Sequence, residues 1–199
     1  MPVHVIEEIK RKLFHMLTLI YVVGYWFLPR EIAVGGMGIT IFTALVIEMV
    51  RLNHEKINRL ILLLGIHRKS EEQHLSGLLW TLSGAFFTMY FFDSPDNPLT
   101  RNIVLAALLY AALGDTAAAL VGRIIGRTRI GTKSLEGSLA CLFTNLAVGY
   151  FLLPWPIFLW GAVFSAFFEL IKWPLNDNFW IPILSAGALT QLMIRYSFL

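Results

Sequence analysis

Polar residues are scarce along this chain, and they separate apolar runs of roughly the length that crosses a hydrocarbon layer, about 17–25 residues when helical. Seven such runs can be traced, at about 13–29, 32–50, 76–92, 102–122, 138–153, 156–171 and 180–195. The fifth and sixth are parted only by Pro154-Trp155-Pro156, which predicts a tight helical hairpin. The stretch from Ile57 to Ile66 is apolar but too short to span. Flanked by Lys56, Arg59, Arg68 and Lys69, it is expected to lie as an amphipathic helix at the interface. The expected fold is an all-α polytopic membrane protein of about seven transmembrane helices, with residues 1–199 forming a single integral-membrane domain. The first run ends in Trp26-Phe27-Leu28-Pro29 rather than in small residues, so it is expected to be kept as a span rather than cleaved.

Composition supports this reading. The chain is 57% hydrophobic and 15% charged, with a mean hydropathy of +0.67, whereas soluble domains run near 25% charged. A net charge of +3 is too small to argue for a nucleic-acid polymer as partner. The single cysteine, Cys141, lies in an apolar run and excludes an internal disulfide. The distribution of cations orients the chain. With the N-terminus inside, all of the sixteen Lys and Arg except Arg30, Arg101 and Arg195 fall on the inner side. So lopsided a split predicts a cytoplasmic N-terminus, with the chemistry on the same face.

The residues that stand out chemically converge on that face. Glu48 and Arg51 close the second run, Glu169 closes the sixth, and Asp177 and Asn178 follow it. Asp115 sits inside the fourth run, where a charge costs roughly 2.5–3.5 kcal/mol on insertion scales and so usually has a function. Gly114, Ala118, Gly122 and Gly126 recur every four residues, a spacing that lets helices approach closely. Asp115, Ala119, Arg123 and Arg127 repeat on the adjoining stripe. The loop beyond, from Gly126 to Gly137, holds Arg127, Arg129, Lys133 and Glu136 among glycines that permit backbone N–H groups to face an anion. Gly131-Thr132-Lys133-Ser134 looks like the end of a Walker A sequence, but the full pattern is absent and no strand precedes it. A packing stripe or a topology signal would explain the small residues or the cations, but not Glu136 and the glycines together. These residues suit a phosphate with its metal ion, hence a membrane enzyme that handles a nucleotide. Upstream, Glu8, Arg11, Lys12 and His15 share one helix face that can line the same mouth. His4, His54 and His67 have no spacing suited to zinc.

Three blocks carry a family resemblance. Glu8 to His15 is similar to an E-x-x-RK-x-x-H opening. Gly114-Asp115-Thr116, Gly122-Arg123 and Gly126 precede Lys133-Ser134-Leu135-Glu136-Gly137-Ser138. Glu169 is followed by Asp177-Asn178 and Pro182. In these blocks the chain resembles the CTP-dependent lipid-alcohol kinases: dolichol kinase, phytol kinase and the fungal CTP-dependent diacylglycerol kinase. The eukaryotic dolichol kinases resemble it only in their C-terminal part. The closing PGHGG signature of phosphatidate cytidylyltransferases is absent.

The resemblance implies a kinase that transfers the γ-phosphoryl group of CTP to the hydroxyl of a lipid alcohol (polyprenol, dolichol, phytol-type or diacylglycerol), with Mg²⁺ or another divalent cation. It implies Asp115 as a metal residue, with Glu136 or Asp177 as second ligand or base. Lys133, Arg123 and Arg127 would clamp the triphosphate beside Gly122, Ser134, Gly137 and Asn178, and Arg11, Lys12 and His15 would close the mouth. Two alternatives remain open at this level: cytidylyl transfer to a phospholipid, and a small ion-coupled transporter. No internal repeat of the transporter type is evident.

Overall fold

The computed structural model describes residues 16, 18–63 and 71–196. Within these the chain is almost entirely helical. The helices run α1 (Leu19–Phe27), α2 (Arg30–Asn53), α3 (Glu55–Leu63), α4 (Gly77–Phe92), α5 (Pro98–Leu109), α6 (Asp115–Ile124), α7 (Leu135–Leu152), α8 (Ile157–Leu170) and α9 (Asp177–Arg195). A single π-helical turn, Tyr110–Gly114, joins α5 to α6. Between α6 and α7 lies a small antiparallel hairpin, β1 (Arg129–Ile130) with β2 (Lys133–Ser134), in which Arg129 faces Ser134 and Ile130 faces Lys133. Gly131 opens its two-residue turn at φ 61°, a left-handed conformation that glycine adopts without steric penalty.

Each of the seven apolar runs read from the sequence contributes a helix, with α5, the π turn and α6 sharing the fourth. By length and apolarity, three stretches suffice to cross a membrane: Arg30–Asn53, Pro98–Ile124 and Leu135–Leu152. Gly77–Phe92 and Ile157–Leu170 are apolar but shorter. The short helix expected near residue 57 is α3, with Ile57 and Leu60 exposed on it.

Helix ends follow local chemistry. Ser76 caps α4 by accepting the Leu79 N–H, and Asn97 caps α5 by accepting the Leu99 N–H ahead of Pro98. Asn176 accepts the Asn178 N–H at the start of α9. Among the described residues, three buried clusters hold the bundle, the smallest being Ala118, Cys141 and Ala166 of α6, α7 and α8. One joins α1, α2, α4 and α5 through Tyr25, Met37, Met89 and Leu108. Another joins α5, α8 and α9 through Ile103, Tyr110, Ile157 and Leu189.

The end of the bundle that carries Arg30 and Arg101 is tied by polar contacts. The Tyr25 hydroxyl donates to Asp93 Oδ2 at 2.5 Å, and Arg30 Nε lies 3.7 Å from the same oxygen. Arg101 donates to the carbonyls of Tyr25 and Leu28 and stacks its guanidinium 4.9 Å from the centre of the Tyr25 ring. Two of the three cations assigned to the outer side from the sequence are therefore bound to carbonyl oxygens at helix ends.

Candidate active site

The opposite end gathers the unusual acids and cations around Lys133. Lys133 Nζ lies 2.9 Å from Glu169 Oε1 and donates to Asp177 Oδ2 at 3.2 Å. It also donates to the Glu169 backbone carbonyl. That carbonyl belongs to the last turn of α8, where it has no helical donor, while Asp177 opens α9. One ammonium thus joins the hairpin, the end of α8 and the start of α9. Burial alone would lower the Lys133 pKa, but the carboxylates of Glu169, Asp177 and Asp115 outweigh it and hold it above the ordinary lysine value. Asp115 is therefore near enough for its charge to act at Lys133. Glu169 is buried at the α8 terminus and also receives a long contact from Ser138 Oγ, 3.5 Å from Oε2.

Asp115 follows directly on the π turn, a feature that often marks functional sites. The small-residue stripe ahead of the loop performs a packing task. An ideal Cβ on Gly114 would collide with the Asn145 side chain. One on Gly122 would sit 2.7 Å from Ser134 Oγ, and one on Gly137 would sit 2.6 Å from the Ala118 carbonyl. The stripe of α6 and the start of α7 therefore meet backbone to backbone, and Ser134 caps α7 by accepting the Gly137 N–H at 3.2 Å. The glycines expected to cradle an anion are mostly spent on this approach and on the Gly131 turn.

Other expected residues fall differently. The Glu136 carboxylate takes the Thr128 N–H, at 3.0 and 3.3 Å to its two oxygens, and so braces the loop. Arg123, Arg127 and Arg129 are exposed beside the hairpin. Helix α6 ends at Ile124, so Arg127 leaves the helical stripe it was expected to share with Asp115 and Arg123. Arg51 is fully buried. It donates to Glu48 Oε2 and the His74 carbonyl at 2.7 Å each, and to Asn58 Oδ1 and the Glu71 carbonyl. Glu48 and Arg51 thus form a structural knot that pins the segment before α4. Arg11, Lys12 and His15, with Glu8, lie outside the described residues.

Asp177 and Asn178 are positioned by close packing. An ideal Cβ on Gly84 would sit 2.8 Å from the carbonyl oxygens of Asn178 and Phe179, so α4 crosses the start of α9 backbone to backbone. Pro182 has no N–H to offer the Asn178 carbonyl one turn earlier, which gives the D-N-x-x-x-P spacing a physical meaning.

Along 90% of its length the chain is 30% identical to a protein of Eremothecium gossypii named CTP-dependent diacylglycerol kinase 1, covering 65% of that protein. It is 27% identical to the protein of the same name in Saccharomyces cerevisiae, over 90% of this chain and 71% of that one. The chain is thus similar, over nine tenths of its length, to proteins named as CTP-dependent diacylglycerol kinases. An uncharacterised Rickettsia prowazekii protein is also similar, at 28% identity over 73% of this chain and 72% of its own. No family model matches, and no solved structure matches.

Glu169 is the residue of this cluster that sequence reasoning left without a role, although it was read as part of the closing motif. The signal was present, a carboxylate at the end of an apolar run, but its partner Lys133 lies 36 residues away. The π turn before Asp115 leaves no trace in the hydrophobic pattern.

Proposed function

We propose that this chain is a CTP-dependent kinase that phosphorylates the hydroxyl of a membrane lipid alcohol, diacylglycerol foremost, and releases CDP. The observation that carries the reading is the meeting of Lys133, Glu169 and Asp177, with Asp115 in electrostatic reach, beside the exposed Arg123, Arg127 and Arg129. Homology to proteins named for this activity supports the nucleotide and the acceptor class.

Phosphoryl transfer asks a protein mainly for positioning and for neutralisation of charge on the phosphates. Lys133, Arg123 and Arg127 supply cations for the triphosphate, with Gly122, Ser134, Gly137 and Asn178 around it and Arg11, Lys12 and His15 at the mouth. The lipid hydroxyl oxygen attacks the γ-phosphorus, the bond to the β–γ bridging oxygen breaks, and the hydroxyl proton passes to Asp177. Among the described residues, no three His, Cys, Asp or Glu side chains form a metal cage. A nucleotide-borne Mg²⁺ needs only one or two carboxylates beside phosphate oxygens and water, and the acids around Lys133 fit that need. With Asp177 as base, Asp115 would hold such a cation together with Glu136; when bound, it neutralises phosphate charge.

The seven apolar helices cross the bilayer with the N-terminus and the site on the cytoplasmic side, a topology supported by the cation split and by the short connections between helices. The reading is tested by incubating purified protein with Mg²⁺, γ-labelled CTP and a panel of diacylglycerol, polyprenol and phytol-type alcohols. Label in the lipid, with CDP released, is the expected result. Label released as pyrophosphate, with a cytidylyl lipid formed, would replace the kinase reading with nucleotidyl transfer.

A further inference from the structure

Helices α1, α2 and α4 leave an open groove of about 490 Å³ between them, within the range of small-molecule sites, roughly 300–1,000 Å³. Its lining repeats at helical spacing: Ile20 and Gly24 on α1, Ala33 and Gly36 on α2, Leu82 and Met89 on α4. The walls are overwhelmingly apolar, and the groove opens beside the exposed Ile32, Ile39 and Phe42 of α2, the face that meets hydrocarbon if α2 crosses the bilayer. From Leu78 to Met89 along α4 it covers about 16 Å, more than half of a hydrocarbon core of about 30 Å.

What distinguishes this groove from an ordinary lipid-facing crevice is where it leads. Tyr21 lines it and also lines a second cavity, of about 10 Å³, roughly the space of one water. That second cavity is walled by Thr81, Asn178, Pro182 and the π-turn residues Ala111 and Ala112. Its lining thus includes Asn178, the sequence neighbour of Asp177, and Ala112, three residues before Asp115. The apolar groove and this small cavity beside the proposed phosphoryl-transfer site thus share one wall residue, Tyr21.

We infer that the α1–α2–α4 groove holds the hydrocarbon tail of the lipid alcohol, with the hydroxyl end led past Tyr21 to the Asn178–Pro182 cavity. The occupant is the substrate's own tail because the groove shares the wall residue Tyr21 with the cavity beside Asn178, a path that would let a bilayer-bound chain keep its tail in hydrocarbon while its hydroxyl reaches Asp177. The inference rests on the kinase reading above.

Gly35 and Gly36 provide a matched test. An ideal Cβ at either position meets nothing within 4 Å, so the backbone environment admits a Cβ at both, but only Gly36 lines the groove. Replacing glycine by leucine in a helix interior is itself mildly favourable. Wild type, Gly36→Leu and Gly35→Leu are assayed in nanodiscs with labelled CTP and long-chain diacylglycerol. Gly36→Leu is expected to raise the apparent KM for the lipid roughly tenfold, the lower range for misfit in an apolar pocket. Gly35→Leu is expected to match wild type. Equal lipid KM in all three proteins overturns the groove while leaving the kinase intact. No labelled lipid from wild type with any alcohol of the panel above overturns the kinase reading, and the groove falls with it. Should Gly36→Leu fail to fold, a diacylglycerol carrying a tail diazirine decides on the wild type. Crosslinks within residues 18–28, 32–40 and 78–89 support the assignment, and crosslinks confined to other helices overturn it.

Discussion

Lys133 accounts for much of the behaviour expected of the site at the residue scale. Its ammonium answers a buried carboxylate, a second carboxylate and an orphan helix-end carbonyl at once. Lys133→Met leaves Glu169 without its ion-pair partner and is expected to destabilise the protein by about 1–3 kcal/mol, the range for stranding a buried polar group. Thermal unfolding in detergent would measure this loss. Because the folded Lys133 pKa lies above its ordinary 10.5, its contribution is complete below the unfolded pKa and is lost as pH rises through the folded value. The wild-type advantage over Lys133→Met is therefore flat from neutral pH upward and narrows only above the ordinary lysine value. The Glu48–Arg51 pair gives a contrasting expectation. Arg51 is fully buried, so Glu48→Ala strands a charge and should cost about 3–5 kcal/mol, seen as lost folded yield. A well-folded Glu48→Ala protein would contradict the structural role given to this pair.

Among the elements, the decisive contact is α6 against α7. Glycine at 122 and 137 lets Ser134 and the Ala118 carbonyl sit where a methyl group would be. Gly137→Ala should force the helices apart at a cost of about 1–3 kcal/mol and displace the hairpin carrying Lys133. Reduced Tm together with reduced turnover would bear this out; unchanged values of both would contradict it. The four-residue recurrence of Gly114, Ala118 and Gly122 made this packing legible from sequence, because a helical period maps directly onto a face. The role of Glu136 was not legible. Whether a carboxylate turns to a ligand or to the Thr128 N–H depends on loop geometry that no period encodes. The π turn was hidden for a related reason: one extra residue per turn within an apolar helix leaves the hydrophobic pattern intact.

For the whole molecule, polar groups are sorted to two ends of an apolar bundle. One end is tied by Tyr25, Arg30, Asp93 and Arg101, and the other carries Lys133, Glu169 and Asp177. Charge counting along the sequence anticipated this division, because cations must lie outside the hydrocarbon wherever they fall in the chain. The pairing across helices had to come from the fold. In a Cys141→Ala background, cysteines placed at Thr132 and at Asp96 should be labelled from opposite faces of sealed vesicles, Thr132 from the cytoplasmic side. Labelling of both from one face would contradict the topology. On the kinase reading, Asp115 and its neighbours transfer a phosphoryl group from CTP to a lipid hydroxyl. The measurement that tests it most directly compares wild type with Asp115→Asn, purified and folded, for transfer of label from γ-labelled CTP to diacylglycerol in the presence of Mg²⁺. Labelled lipid from the wild type, reduced at least a hundredfold in Asp115→Asn, a loss on the order of 2.7 kcal/mol of transition-state stabilisation, is the predicted result. Equal turnover by the two proteins, or no labelled lipid from the wild type, would contradict it.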